Sequence, residues 1–419
     1  MNRTTRKGGL DLSKMRMFPS QVSMPLRRHG VNPVPELAKV REAEPVHKLA
    51  HLFGLNVWVV SGHAEAKAVL ADSTNFSNDI RPLVGSDPNK PSEGIGGLGF
   101  TDPPDHTRLR KLLTPEFTKR RLARLEPAIE KIVQDQLDLM EAKGPVADIV
   151  SDFAFNVPFL LIADLLGVEE SDRDRFRALG PARFDLSGGG IGVFGSASES
   201  RDFLFEIVRK QRKNPGDGLI GSIIREQGDD IDDVELGGLA DGVFLGGYET
   251  SASMLALGTL VLMRNPENFE RIRNEPGAVD AIVEELLRYL TVVQVAFPRF
   301  ARQDQELFGQ QVKKGDLVAV SLSGADRDKE VFGPDAEEFW PRRAPAAHLA
   351  FGHGMHRCVG AELARMELRA AFSALAHRFP DLSLAIPEEQ LRFRDFSIVY
   401  GVETLPVQLH AAEPEQVAG

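Results

Sequence analysis

Cys358 is the only cysteine among 419 residues, and it lies in a glycine-rich segment, residues 351–360. A lone cysteine cannot form a disulfide within the chain, but its thiolate can bind iron. The glycines allow positive φ and a close backbone approach. The N-terminus of the helix predicted after the cysteine favours negative charge on the sulfur. The segment therefore predicts an iron–thiolate site.

Two other interpretations of this segment stay open at this point. A single cysteine is more commonly an inert buried side chain, here beside a glycine turn. A zinc site could use His353, His356 and Cys358. Structural zinc sites, however, usually take four ligands from two separated pairs, and the sequence has no second cysteine.

Residues 351–360 resemble the haem-binding loop of the cytochrome P450 family, F-G-x-G-x-H/R-x-C-x-G, at every fixed position, and the match continues to Glu367. The resemblance spans roughly residues 20–410. It implies that Cys358 is the axial ligand of haem b and that Phe351 and Gly352 belong to the cofactor-binding loop. It also implies the P450 fold, mainly α with a smaller β portion, as a single large domain.

Residues 246–251, Gly-Gly-Tyr-Glu-Thr-Ser, lie midway along a predicted buried helix. Two adjacent glycines cost a helix roughly 1 kcal/mol each, and a buried Glu249 needs a partner. The Thr250 hydroxyl can bond the carbonyl of Gly246 and bend the helix. From the residues alone, close helix packing with a polar face explains this stretch equally well. The resemblance implies that Gly246 leaves room for dioxygen and that Glu249 and Thr250 relay protons.

Four further side chains could bind carboxylates. Four-residue spacing places His106 and Arg110 on one face of the helix predicted over Asp105–Leu113. Arg299 follows Phe297-Pro298, and His356 lies two residues before the cysteine. Each could instead form a surface salt bridge. The resemblance implies that all four contact the haem propionates.

Glu285 and Arg288 are three residues apart, so they share a helix face and can pair. The resemblance to the family's E-x-x-R adds Arg343 as a third member. We expect these residues to form a buried structural ion network.

The elements that position these residues follow from periodicity and caps. Helices are predicted over Asp105–Leu113, 121–142, 148–166 with a kink or interruption at Pro158, 171–183, 197–212, 217–227, Asp233–Arg264 and 277–290, and after Cys358 to about Arg378. Strands are predicted at Leu55–Val60 and Leu317–Val320. We expect a flexible N-terminus over 1–20, one domain over 21–410 and a tail over 411–419.

Composition excludes several classes of protein. The net charge of −11, with no long basic run, argues against a nucleic-acid partner. The apolar stretches are too short to span a bilayer, and no apolar segment follows the basic N-terminal residues. We therefore expect a cytoplasmic protein, and the resemblance to bacterial members implies electrons from ferredoxin and its reductase.

The substrate and partner surfaces are hypotheses drawn from the composition and charge of segments that the resemblance places near the haem. The distal pocket should be lined by apolar side chains, which favours a lipophilic, natural-product-like substrate: Ile80, Leu83, Val293, Val295, Ala296, Phe297 and Ile398. Residues 188–192 could be the hinge of a lid or only a mobile loop. Ferredoxin could dock on a basic patch, unless these residues are ordinary solvated charges: Arg108, Lys111, Arg357, Arg365 and Arg369.

The implied activity is a haem-thiolate monooxygenase that hydroxylates or epoxidises its substrate with O2. One alternative is a haem-thiolate peroxygenase or an oxidative coupling enzyme, although peroxide users often lack the Glu249–Thr250 pair. A haem sensor without catalysis is the other alternative.

Overall fold

Helices form most of the computed structural model, which describes residues 20–52, 54–79, 98–179 and 191–410, with backbone only for 191–198. In chain order they are α1 (Ser20–Ser23), α2 (Pro35–Ala43), α3 (His63–Ala71), α4 (Asp105–Leu113), α5 (Lys119–Leu122), α6 (Glu126–Ala142), α7 (Asn156–Leu166), α8 (Glu170–Ala178), α9 (Ile191–Lys213), α10 (Leu219–Gln227), α11 (Asp233–Arg264), α12 (Glu267–Asn274), α13 (Ala278–Leu290), α14 (Leu322–Ala325), α15 (Lys329–Phe332) and α16 (Ala361–Arg378).

The described strands are short and form one main sheet and three small ones. They are β1 (Arg28–His29), β2 (Asn32–Pro33), β3 (Val46–Leu52), β4 (Leu55–Val60), β5 (Phe76–Ser77), β6 (Val146–Asp148), β7 (Arg299–Ala301), β8 (Gln305–Leu307), β9 (Gln310–Val312), β10 (Leu317–Val320), β11 (Ser383–Leu384) and β12 (Pro406–Gln408). The main sheet has the order β3-β4-β10-β7-β5. In it β10 runs parallel to β4, with Val318 opposite Trp58, and antiparallel to β7. The prediction of a mainly helical single domain with a smaller β portion is confirmed.

Helix α11 is the central element, and its predicted bounds are confirmed. The Asp232 side chain caps its N-terminus by accepting a hydrogen bond from Glu235 N at 2.7 Å. Its C-terminal half is buried almost all round. A Cβ on Gly258 would lie 2.4 Å from the Phe372 ring, so this glycine lets α11 pack closely against α16. Helix α11, which carries Gly246, Glu249 and Thr250, is therefore in direct contact with the helix that follows Cys358.

Two stretches that were predicted as single helices are each interrupted by a turn of another helix type. Residues 121–142 do not form one helix, because a 3₁₀ turn, Ala123–Leu125, separates α5 from α6. The stretch 148–166 is interrupted before Pro158 by a π-helical turn, Val150–Ala154. Pro158 lies in the first turn of α7, where a missing N–H costs little. The predicted helix over 171–183 ends at Ala178, and residues 180–190 lie outside the described chain.

A buried ion network joins α13 to the segment that leads to the cysteine. Arg288 donates to both carboxylate oxygens of Glu285, at 2.7 and 2.8 Å. Arg343 lies 3.4 Å from Glu285 and also pairs with Asp335 at 2.6 Å. No described helix is long and apolar enough to cross a membrane.

Candidate functional site

The cysteine loop is shaped by its own backbone. Cys358 N donates to Phe351 O at 2.9 Å, and Arg357 N donates to Gly354 O at 3.1 Å. Gly352 and Gly354 have φ of +67° and +73°, a region that other residues rarely adopt. A Cβ on Gly354 would also lie 2.6 Å from a backbone oxygen of α3. The glycines are thus required for the turn that presents the sulfur.

The electrostatics of Cys358 suit a metal-bound sulfur. Burial raises the pKa of its thiol, while a backbone hydrogen bond from Gly360 and the charges of Arg110, Arg357 and Arg365 act in the opposite direction. The side chain nevertheless keeps accessible surface. Protein groups therefore surround the sulfur without covering it. A metal ion deprotonates a coordinating thiol outright, which offsets the cost of the buried charge.

The four predicted carboxylate-binding side chains come together beside this loop. The rings of His106 and His356 lie 4.2 Å apart, centroid to centroid. Burial, with the nearby charges of His106, Arg299 and Arg110, lowers the pKa of His356 to about 3. Burial likewise lowers the pKa of Arg299 to about 10 and the pKa of His106. Segments 102–110, 299 and 356 thus form one buried, electropositive cluster.

This cluster fits the propionate edge of the haem that the resemblance implies. Both ring nitrogens of His106 are buried and have no hydrogen-bond partner among the described residues. Asp102 lies near His106 and Arg299, but Arg302 binds its carboxylate at 2.7 Å. Buried cations and imidazoles ordinarily have anionic or hydrogen-bonding partners. Two propionates would supply both.

The adjacent glycines Gly246 and Gly247 of α11 have different roles. Thr250 Oγ1 donates to Gly246 O at 2.6 Å, the bond expected from their spacing. A Cβ on Gly247 would lie 2.8 Å from Ile162 Cδ1, so this glycine serves close packing against α7. A Cβ on Gly246 would meet nothing within 4 Å. Helix packing therefore accounts for Gly247, and Gly246 faces open space beside Thr250.

Glu249 has a partner that the sequence did not reveal. Arg394 Nη1 donates to Glu249 Oε1 at 2.6 Å, and the Glu249 side chain is only 3% exposed. The acid inside an apolar run required a cation, but Arg394 is 145 residues away in the chain. Nothing in the local pattern singles out that arginine.

The predicted pocket lining comes from two segments that pair with each other. Val293 forms an antiparallel bridge with Val399, and Gln294 N donates to Ile398 O at 3.0 Å. Val293, Val295 and Ile398 are all partly buried, and Gln294 between the two valines is fully buried. Three of the predicted apolar residues thus lie on one small stretch of paired backbone.

Phe297 and Ala296 continue this segment. The Phe297 ring packs edge-on against Phe100, with centroids 4.8 Å apart. Ala296 N donates to Val320 O at 3.0 Å, which ties the segment to β10. Ile80, Leu83 and most of the predicted hinge at 188–192 lie outside the described residues.

The predicted basic patch is largely neutralised. Arg365 pairs with Glu284 at 3.0 Å and with Glu362 at 3.2 Å. Arg369 pairs with Asp280 at 3.3 Å, and Arg108 pairs with Glu235. Lys111 and Arg357 are exposed. A docking surface on this side would therefore depend on those two side chains more than on Arg365.

Two other features do not compete with this site. In the described part of the chain, no group of three or more His, Cys, Asp or Glu side chains is placed to hold a metal ion, so the zinc interpretation finds no support. A surface cleft of about 760 Å³ between α5 and α10 is lined by Arg120, Arg121, Arg124 and Arg225 among others. It contains none of the predicted site residues.

The comparisons with known proteins agree with this geometry. The family model for cytochrome P450 matches residues 40–178 and 197–399. Cytochrome P450 165B3 of Amycolatopsis orientalis is 38% identical over 91% of this chain and 97% of that protein. Mycinamicin IV hydroxylase/epoxidase of Micromonospora griseorubida is 35% identical over 90% of this chain and 96% of that protein.

Among solved structures, OxyC is described as a cytochrome P450 implicated in an oxidative C–C coupling reaction during vancomycin biosynthesis. It is 36% identical, with a TM-score of 0.82, over 91% of this chain and 96% of that one.

Proposed function

Because the chain belongs to the cytochrome P450 family, whose cofactor is haem-thiolate, we propose that it inserts one atom of O2 into a lipophilic small molecule. The reaction would be a hydroxylation or an epoxidation, and a ferredoxin with its reductase would supply the electrons. The observation that carries this proposal is the buried Glu249 next to Thr250, on the helix that packs against α16, the helix that follows Cys358. A similar protein is named a hydroxylase/epoxidase.

The residues described above would hold haem b. Cys358 would be the axial ligand, and His106, Arg110, Arg299 and His356 would bind the propionates. Phe351 lies close to the cysteine, and its ring is covered by the Arg365 guanidinium at 4.7 Å. When bound, the haem supplies the redox chemistry that activates dioxygen.

The chain's own contribution to that chemistry is to hold and deliver protons. Glu249 would accept a proton in a buried place and give it up again, and the neighbouring Thr250 hydroxyl, which donates to Gly246 O, would pass it on. Proton transfer by a positioned side chain typically contributes about 10²- to 10⁴-fold in rate. The Arg394 ion pair keeps the Glu249 carboxylate in a fixed place.

The substrate side supports a lipophilic ligand. Val293, Val295, Ala296, Phe297 and Ile398 offer apolar side chains, and the pairing of their segments fixes the backbone. Pockets of this kind take most of their affinity from burial of apolar ligand surface.

The electron donor would dock near the cysteine loop, where Lys111 and Arg357 are exposed. Such charges raise association rates with an acidic ferredoxin, and the effect falls with salt. We propose a cytoplasmic location for the reaction, in line with the bacterial relatives.

The test uses the purified haem protein. A compound library is first screened for ligands that displace water from ferric iron, seen as a spectral shift. Conversion of the hits with ferredoxin, reductase, NAD(P)H and ¹⁸O2 should give a product that carries one labelled oxygen. Thr250→Ala should lower product formed per NAD(P)H, and Cys358→Ser should abolish the thiolate spectrum of the reduced carbon monoxide adduct. An unchanged carbon monoxide spectrum in Cys358→Ser would refute the proposal.

A second candidate, oxidative coupling, is favoured by the similarity to OxyC. The same labelling experiment distinguishes the two reactions. A coupling product would lack two hydrogens and contain no labelled oxygen.

A further inference from the structure

The ion pair between Glu249 and Arg394 differs from the surface pairs of the molecule. The two side chains are 3% and 20% exposed, and their charged atoms lie 2.6 Å apart. By contrast, Lys131 and Asp135 form an equally short pair with exposures of 74% and 50%. Surface pairs are worth little, whereas breaking a buried one leaves a charge without compensation. The Glu249–Arg394 pair is therefore energetically significant.

Arg394 is held at its backbone by a hydrogen bond, and its guanidinium lies near an aromatic ring. Its N–H donates to Gly401 O at 2.9 Å, and Phe393 bridges Val402 in the same hairpin. A Cβ on Gly401 would lie 2.9 Å from Ser253 Oγ on α11 and 3.6 Å from Arg394 Cδ, so the glycine allows this hairpin to approach the helix. The guanidinium lies 5.2 Å from the centre of the Phe155 ring. Its position is thus fixed independently of Glu249.

The other strand of this hairpin carries part of the predicted pocket wall. Tyr400 N donates to Val292 O at 2.8 Å, and Gln294 N donates to Ile398 O at 3.0 Å. Gln294 Nε2 also donates to Ser397 O at 2.8 Å. The cation that binds Glu249 and the pocket residue Ile398 therefore belong to one rigidly paired unit.

We propose that Arg394 is the positioning residue for Glu249, which it keeps ionised and fixed one residue before Thr250. This inference rests on the proposed function, in which Glu249 delivers protons. Arg394 contacts the acid and acts through it.

The other charged and titratable groups near Glu249 determine the protonation state that this acid would adopt without Arg394. On the same helix, Tyr248 is neutral, because burial raises the pKa of its phenol to about 12 against the opposing charges of Arg177 and Arg394. Arg177 reaches this region from α8, but it donates to Asn156 Oδ1 at 2.5 Å and its guanidinium lies 4.2 Å from the centre of the Phe159 ring. Without Arg394, burial would favour the neutral acid at position 249.

The experiment compares the haem proteins of the wild type, Arg394→Met, Arg394→Lys, Glu249→Gln and the double variant Arg394→Met/Glu249→Gln. Infrared difference spectra recorded at neutral pH report a buried carboxylic acid by its C=O stretch. We expect this band in Arg394→Met, and we expect none in the wild type or in the double variant. Arg394→Lys should lose most of the band, because a cation is restored.

Arg392→Met is the matched control, since Arg392 is exposed on the same hairpin two residues earlier. It should have the spectrum of the wild type. If Arg394→Met does not fold, Arg394→Gln carries the same test, because it also removes the charge. Absence of the band in folded Arg394→Met or Arg394→Gln, or a band that survives Glu249→Gln, would overturn the proposal.

Activity separates failure of this inference from failure of the proposed function. With a substrate found in the library screen, Arg394→Met should lower product per NAD(P)H about 10-fold, and Arg394→Lys should restore part of it. This loss is smaller than the loss of about 10²- to 10⁴-fold for a missing proton-transfer group, because Glu249 itself remains. Suppose that Arg394→Met shows the carboxylic acid band, but that Glu249→Gln and Thr250→Ala leave O2-dependent product formation unchanged. That result would support the positioning role of Arg394 and refute the proton-delivery function. The reverse result, an absent band with product formation lowered by Glu249→Gln, would refute the positioning alone.

Discussion

Replacement of Arg288 by methionine would remove the cation at the centre of the buried ion network. All five N–H groups of Arg288 are used: two bind the Glu285 carboxylate, and three bind the carbonyl oxygens of Asp326, Ala336 and Glu338 at 2.8 Å. The side chain is only 3% exposed and Glu285 only 6%. The change therefore leaves a buried carboxylate without its main partner and three carbonyls without a donor.

The remaining partners of Glu285 are weak substitutes. Trp340 N donates to it at 2.8 Å, and Arg343 Nε lies at 3.4 Å. Breaking a buried pair by removing one partner costs about 3–5 kcal/mol. For 419 residues, the unfolding entropy is roughly 0.9 kcal/mol/K, so this loss corresponds to a decrease of about 3–6 °C in Tm.

The measurement is thermal unfolding of the haem protein, followed by circular dichroism at constant protein concentration. Arg342→Met is the matched control, because Arg342 pairs with Glu275 at 3.3 Å with exposures of 63% and 47%. That control should change stability by about 0.5 kcal/mol or less. Glu285→Gln in the Arg288→Met background should recover part of the loss. Equal Tm values for Arg288→Met and Arg342→Met would refute the argument that burial makes this pair important.

Three further predictions concern stability. Gly354→Ala should lower Tm more than Gly352→Ala, because both positions have positive φ but only a Cβ at 354 would collide with α3; equal losses would contradict this. Burial raises the pKa of Glu367 to about 8. Between about pH 4.5 and 8 the unfolded chain releases this proton and the folded protein keeps it, so the free energy of unfolding decreases as pH rises. Glu367→Gln should therefore raise Tm at pH 8 and leave it unchanged at pH 4. The pKa of Glu284 is about 2 although burial opposes this, because hydrogen bonds, first that from His348, favour the carboxylate. The stability from Glu284 is present above about pH 4.5 and is lost as pH falls toward 2, so Glu284→Gln should flatten the acid limb of a Tm–pH profile.

Local patterns predicted the elements whose signals are strong. The bounds of α11 follow from the Asp232 cap and from Pro266 after its end, both of which act within one turn of the helix. The predicted bond from Thr250 to Gly246 also depends only on four-residue spacing. Because these signals are local, a single sequence contains them in full.

The interruptions and the long-range partners could not be predicted in this way. The 3₁₀ turn at Ala123–Leu125 and the π-helical turn at Val150–Ala154 interrupt stretches whose periodicity is helical, and tertiary packing decides such breaks. Arg394 carries no local mark that relates it to Glu249. The neutralisation of the basic patch was missed for the same reason, since Glu284 binds Arg365 from 81 residues away.

The chemistry of the site favours haem over an inert cysteine. Two groups here are unfavourable without a ligand, the buried cationic cluster and the cysteine thiol, and one ligand would stabilise both. His106 and Arg299 are 2% exposed, and the polypeptide supplies few acceptors for them. The thiol of Cys358 lies where burial opposes its ionisation. A buried structural cysteine would need no cationic cluster beside it, and a cluster of structural cations would need carboxylates. A porphyrin with two propionates and a central iron supplies anions for the first group and a metal for the second. Three segments far apart in the sequence, 102–110, 299 and 356–358, therefore meet at one place for a single electrostatic reason.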